Sequence, residues 1–122
     1  MAKRTPTLLC AETQPHTVNL TLRVDADIID FSGHFEHFPL LPGVTQIDWA
    51  LRYAREYLSV PTSFQGMEVI KFQEPILPDM TVQLALSWDE EKQKLAFSYS
   101  SQREGLNIIH SSGKMKLGEI CG

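Results

Sequence analysis

In the stretch Gly33–Asp48, GHFEHFPLLPGVTQID, one histidine and one carboxylic acid flank a proline-stiffened turn. Imidazole is the side chain most readily tuned to exchange protons near neutral pH, which makes His34 a candidate general base. Asp48 follows fourteen positions later, where the pattern predicts the second turn of a helix. Between them, Pro42 and Gly43 would set backbone N–H groups at the N-terminus of that helix, where negative charge developing on a carbonyl oxygen is stabilised. A base, an acid and an oxyanion site together are the equipment for moving a proton next to a carbonyl group. Taken singly, each residue has a plainer role, since a loop histidine usually hydrogen-bonds locally and an aspartate early in a helix usually caps it. Asp48 lies beyond the first turn, however, where the benefit of the helix dipole has largely faded. His34 and His37 have metal-ligand spacing, but no third ligand accompanies them, so neither a metal centre nor another cofactor is expected.

These residues need a scaffold, and the hydrophobic pattern supplies one. A helix is predicted from about Val44 to Leu58, because Ile47, Leu51, Ala54 and Leu58 recur at helical spacing while Arg52, Arg55 and Glu56 take polar positions. Pro42 suits its entrance, and Pro61 cannot continue it. Before the helix, Thr17–Val24 alternates apolar and polar residues as a half-buried strand does, and Leu8–Thr13 is a candidate partner turned back through Gln14, Pro15 and His16. After the helix, everything reads as strand. Glu68–Gln73 precedes a bend at EPILPD; Thr81–Trp88 places Val82, Leu84, Leu86 and Trp88 on one face; the DEEKQK turn leads into Leu95, Phe97 and Tyr99. A second polar turn at Arg103–Gly105 returns the chain into Asn107–Leu117, with Met115 and Leu117 on one face. One long helix followed by a meander gives an α+β class, a curved antiparallel sheet with the helix on its concave side. Such a sheet leaves apolar surface and an open edge, which dimerisation would cover.

Composition bounds the function. A chain of 122 residues suits one domain, and 43% apolar with 21% charged residues is the balance of a globular protein rather than a disordered one. No apolar run reaches membrane-spanning length and the N-terminus lacks a signal-peptide pattern, so a cytoplasmic location is the expectation. The net charge of -4 argues against nucleic acid as a partner. Cys10 and Cys121 stand near opposite ends and form neither a disulfide framework nor a metal-ligand spacing, so reduced thiols are expected.

Two segments carry a family resemblance. GHFEHFPLLPGVTQID resembles the signature of hotdog-fold 3-hydroxyacyl-thioester dehydratases of the FabA and FabZ type, in which GHF precedes a turn containing PGV or PGC and an acid follows on the central helix. Lys71–Asp79, KFQEPILPD, is similar to the KFR-x-P-V-x-P-G-D strand and turn of the same family. Together they place the resemblance over about Val18–Leu117. The continuation QIDWALRYA is similar to ApeI-type dehydratases associated with aryl polyene biosynthesis.

The resemblance implies a hotdog fold and a 3-hydroxyacyl-[acyl-carrier-protein] dehydratase. It implies that His34 is the catalytic histidine, Asp48 the catalytic acid, and Gly43 the residue whose N–H binds the thioester carbonyl. Such sites are built at a dimer interface, so a homodimer or a hetero-oligomer with another hotdog subunit is expected. His34 would take the proton alpha to the carbonyl. Asp48 would assist the departing hydroxyl, for which it must hold or share a proton, a state favoured by burial in an apolar site. Phe31, Phe38 and Leu41 flank the motif as candidate walls of an acyl tunnel, and Arg52, Arg55 and Lys71 are candidate contacts for an acidic carrier protein. Two alternatives remain: a hotdog acyl thioesterase, and a non-catalytic hotdog subunit of a synthase complex. The sequence also departs from the family pattern. Glu36 follows Phe35 where GHFP is usual, His37 comes next, Pro78 meets Asp79 without a glycine between, and the acid is Asp, as in the FabA branch, rather than Glu.

Overall fold

The structure, a computed structural model, describes residues 4–28, 40–61 and 63–118. Along the chain come β1 (Thr7–Gln14), β2 (Thr17–Arg23), α1 (Gly43–Tyr57), β3 (Ser63–Phe72), β4 (Thr81–Asp89), β5 (Lys94–Arg103) and β6 (Leu106–Gly118). The six strands form one sheet in the order β1-β2-β4-β5-β6-β3, every neighbouring pair antiparallel. With α1 packed on one face, this is the hotdog arrangement that the resemblance implied. The strand pairings follow from the alternation. Along β4 every second residue is buried, and Val82, Leu84, Leu86 and Trp88 meet Val18, Leu20 and Leu22 of β2 and Leu95, Phe97 and Tyr99 of β5 in one core. The β5–β6 turn is tight because Glu104 and Gly105 both adopt positive φ, at 52° and 81°, as a two-residue hairpin with a right-handed twist requires.

Helix α1 starts where Pro42 holds φ at -60° and ends when Leu58 closes a last bond to the Ala54 carbonyl, followed by Ser59 at φ 52°. Its boundaries fall within a residue of those read from the pattern, but its face is rotated. The buried residues are Thr45, Gln46, Trp49, Ala50 and Ala54, whereas Ile47, Leu51 and Leu58 pack only half-buried against the core. The expected stripe ranked residues by hydrophobicity. The helix instead buries Gln46, because the sheet beneath offers polar partners, and Trp49, whose indole N–H donates to the Arg4 carbonyl at 2.9 Å.

One irregularity places the site. Tyr99 pairs with Ser111 and Ser100 with Ile109, so His110 has no opposite number on β5 and forms a β-bulge. Successive residues of a strand normally face opposite sides. The bulge lets His110 and Ser111 both turn inward, exposed by only 1% and 0%.

Candidate active site

The N-terminus of α1 is uncapped by any side chain and has no acidic residue in its first turn. The N–H groups of Thr45 and Gln46 both point back to the Pro42 carbonyl at 3.1 Å, while those of Gly43 and Val44 belong to the part of the first turn that has no intrahelical acceptor. Gly43, Leu40, Leu41 and Gln46 line a cavity of about 380 Å3 whose other walls are Phe72, the 73–75 segment and His110. A Cβ at Gly43 would lie 2.5 Å from Phe72 Cζ, so the missing side chain is what lets the helix start and the β3 aromatic close together around this space.

Behind the cavity runs a buried polar network. Ser111 Oγ donates to Gln46 Oε1 at 2.6 Å, Gln46 Nε2 donates to the Leu41 carbonyl at 3.1 Å, and Tyr99 Oη donates to the Gln46 carbonyl at 2.6 Å. Burial pushes the Tyr99 phenol well above its ordinary range, with the charges of Tyr53 and Asp48 adding to the effect, so it stays a donor. His110 Nδ1 lies 3.1 Å from the Glu74 carbonyl and its Nε2 lies 2.7 Å from Ser101 Oγ. A carbonyl can only accept, so Nδ1 carries the hydrogen and donates to Glu74, while Nε2 shares a hydrogen bond with the serine hydroxyl.

The structure brings only part of the expected constellation together. Gly43 and Leu41 share the cavity. Asp48 does not: five residues along a helix is about 140° of rotation, and its carboxylate stands 62% exposed, with Oδ2 at 3.3 Å from Arg52 Nε. The apolar burial expected for Asp48 is therefore not provided by one chain. Arg52 sits in a separate cleft with Trp49 and Tyr53, Arg55 is exposed in the last turn of α1, and Lys71 is exposed on β3 beside Phe72. His34, Phe31 and Phe38, with Glu36 and His37, lie outside the described residues. Sequence reasoning passed over Gln46, Tyr99, Ser101, His110 and Ser111. Gln46 stood inside the motif, but the inward turn of His110 beside Ser111 depends on a bulge that strict alternation does not reveal.

The comparisons with known proteins agree with this architecture. The family model described as ApeI-like, ApeI dehydratase, matches residues 10–114. The chain belongs to the ApeI-like dehydratase family. Among solved structures, it is 38% identical to a chain of the dehydratase heterocomplex ApeI:P from Xenorhabdus doucetiae, covering 92% of this chain and 96% of that one with a TM-score of 0.84. It is 43% identical to an uncharacterised protein from Erwinia carotovora subsp. atroseptica, covering 94% and 97% of the two chains with a TM-score of 0.82. A 3-hydroxyacyl-[acyl-carrier-protein] dehydratase FabZ from Erythrobacter litoralis is 28% identical over 75 residues, 53% of this chain. That match spans 49% of the FabZ protein, about half its length. In this ApeI-like dehydratase, Gly43 lines a cavity at a helix start that no side chain caps.

Proposed function

We propose that this chain dehydrates a 3-hydroxyacyl thioester, carried on an acyl carrier protein, to the trans-2-enoyl thioester, in fatty-acid-like or aryl polyene biosynthesis. The carrying observation is the cavity into which the first turn of α1 opens, with Gly43 in its wall and no acid or side-chain cap at the helix start. A thioester carbonyl placed there receives N–H donors and the positive end of the helix dipole, so the enolate-like charge formed on alpha-proton removal is stabilised. His34 removes the alpha proton, Asp48 delivers a proton to the 3-hydroxyl, and water leaves as the carbon–carbon double bond forms. The Asp48 proton departs in the water, and the proton that His34 has taken is passed to solvent while Asp48 regains one, which restores both groups for the next turnover.

Asp48 needs surroundings that hold a proton on it, and a second hotdog chain laid against the exposed face of α1 would bury it and displace Arg52. The ApeI:P relative is named as a heterocomplex, which supports a hotdog partner, either a copy of this chain or a different subunit. The exposed Phe64, Val69 and Phe72 of β3 and Val44 of α1 form the apolar surface such a partner would cover. The phosphopantetheine end of an acidic carrier would approach past Lys71, next in sequence to Phe72 at the cavity wall. Phe31, Phe38 and Leu41 remain the proposed acyl walls.

The test is a partition of products. Given a 3-hydroxyacyl and a saturated acyl thioester of the same carrier, the chain should form enoyl product from the first and release no free thiol from either. Thiol released from both would make it a thioesterase. Inertness toward both would make it a non-catalytic subunit.

A further inference from the structure

We propose that the bulged pair His110 and Ser111 on β6 is the positioning centre for the Gly43 amide, holding the turn before α1 from both sides. The proposal rests on the dehydratase reading and adds residues to it that act through the turn before α1 rather than on the reacting atoms, although Gln46 and His110 also stand in the cavity wall.

Leu41 is the residue whose orientation decides where the Gly43 N–H points. Pro42, the only residue between them, has a fixed φ, and its remaining torsion, ψ 147°, is held by the Thr45 and Gln46 N–H groups that donate to its carbonyl, so the direction of the Leu41 peptide is passed on to Gly43. Both polar groups of Leu41 are clamped. Its carbonyl accepts from Gln46 Nε2 at 3.1 Å, and Gln46 Oε1 in turn accepts from Ser111 Oγ at 2.6 Å. Its N–H donates to the Ile76 carbonyl at 2.8 Å, and the segment that carries Ile76 is pinned to His110 twice: the Gln73 N–H donates to the His110 carbonyl at 2.9 Å, and His110 Nδ1 donates to the Glu74 carbonyl at 3.1 Å. Ser101 Oγ completes the ring's hydrogen bonding at 2.7 Å and so fixes its rotation.

The two arms therefore meet on adjacent residues of one strand. That is possible only because the bulge turns both inward. A core built for stability alone would fill these positions with apolar side chains. Here Gln46, His110 and Ser111 are 4%, 1% and 0% exposed, and every polar bond named above converges on the entrance of α1. A misplacement of about 1 Å in a catalytic group costs on the order of a hundredfold in rate, so a clamp of this kind acts on turnover more than on binding.

The experiment uses the full chain with a 3-hydroxyoctanoyl thioester on acyl carrier protein, reading enoyl formation. Ser111→Ala cuts one arm, and His110→Leu cuts the ring's hold on the other. His110→Asn keeps an N–H donor near the Nδ1 position. With folding verified by circular dichroism, Ser111→Ala and His110→Leu are expected to lower kcat about tenfold or more with KM within about threefold, and His110→Asn to recover to within about threefold of wild type. Folded Ser111→Ala and His110→Leu proteins with kcat within about threefold of wild type, their losses confined to melting temperature, would overturn the proposal. Should His110→Leu fail to fold, Ser111→Ala decides it. Asp48→Asn, run alongside, separates the two levels. Wild-type turnover lost in Asp48→Asn but kept in the clamp variants refutes the clamp alone. Absence of enoyl product from the wild type refutes clamp and dehydratase reading together.

Discussion

Tyr99 joins sheet to helix through one hydroxyl, donated at 2.6 Å to the Gln46 carbonyl in a fully buried setting. Removing that hydroxyl in Tyr99→Phe should cost about 1 kcal/mol at neutral pH, measured by urea unfolding, since a net buried hydrogen bond is worth about that much. The pH dependence has a definite sign. Burial raises the folded-state pKa of Tyr99 above the ordinary tyrosine value of 10.0, so above that pH the unfolded chain releases its proton first. The contribution of Tyr99 is therefore complete below about pH 10 and declines as pH rises through the folded value. Tyr99→Phe lacks this decline, and its stability deficit should be smaller at pH 11 than at pH 8. At this scale the sequence was partly legible. The alternation sets Tyr99 in line with Leu95 and Phe97, but its hydroxyl partner is hidden, because the bond depends on how far α1 rotates over the sheet.

Strand β6 is closely fitted between its two neighbours. Gly113 lies between Ile70 of β3 and Phe97 of β5, and a Cβ there would stand 2.7 Å from Phe97 Cε2 and 2.8 Å from the Val69 carbonyl oxygen. The ring could give way, but the backbone oxygen cannot. Gly113→Ala should destabilise the protein by about 1–3 kcal/mol in urea unfolding, the range for overpacking. At Gly118 the nearest neighbour of an added Cβ is 3.7 Å away, and Gly118→Ala should stay within about 0.5 kcal/mol. Strand identity was written in the alternation of β2, β4 and β5, and helix limits in Pro42 and Pro61. The face that α1 buries was not, because Gln46 enters the core only by virtue of Ser111 and Tyr99 on strands far along the chain. The bulge at His110 escaped for the same reason: a single extra residue changes which side faces inward without changing the run of residue types.

For the molecule as a whole, the sheet ends in β1 on one side and β3 on the other, and every residue of β1 is exposed. The meander predicted antiparallel neighbours, yet it could not show that β3 joins the far edge beside β6 while β2 pairs with β4, since crossover order is set by how the helix packs. The candidate site was legible in the same uneven way. Gly43 and Leu41 meet in one cavity, whereas Asp48 faces outward on the other side of α1. A site completed by a second chain, as proposed above, would account for that separation. The most direct test is the rate of enoyl formation from a 3-hydroxyacyl-[acyl-carrier-protein] by wild type and Asp48→Asn, each folded and at equal concentration. The account predicts a drop of at least about a hundredfold, the scale of a lost general acid. An Asp48→Asn protein that keeps its rate within about threefold would contradict it.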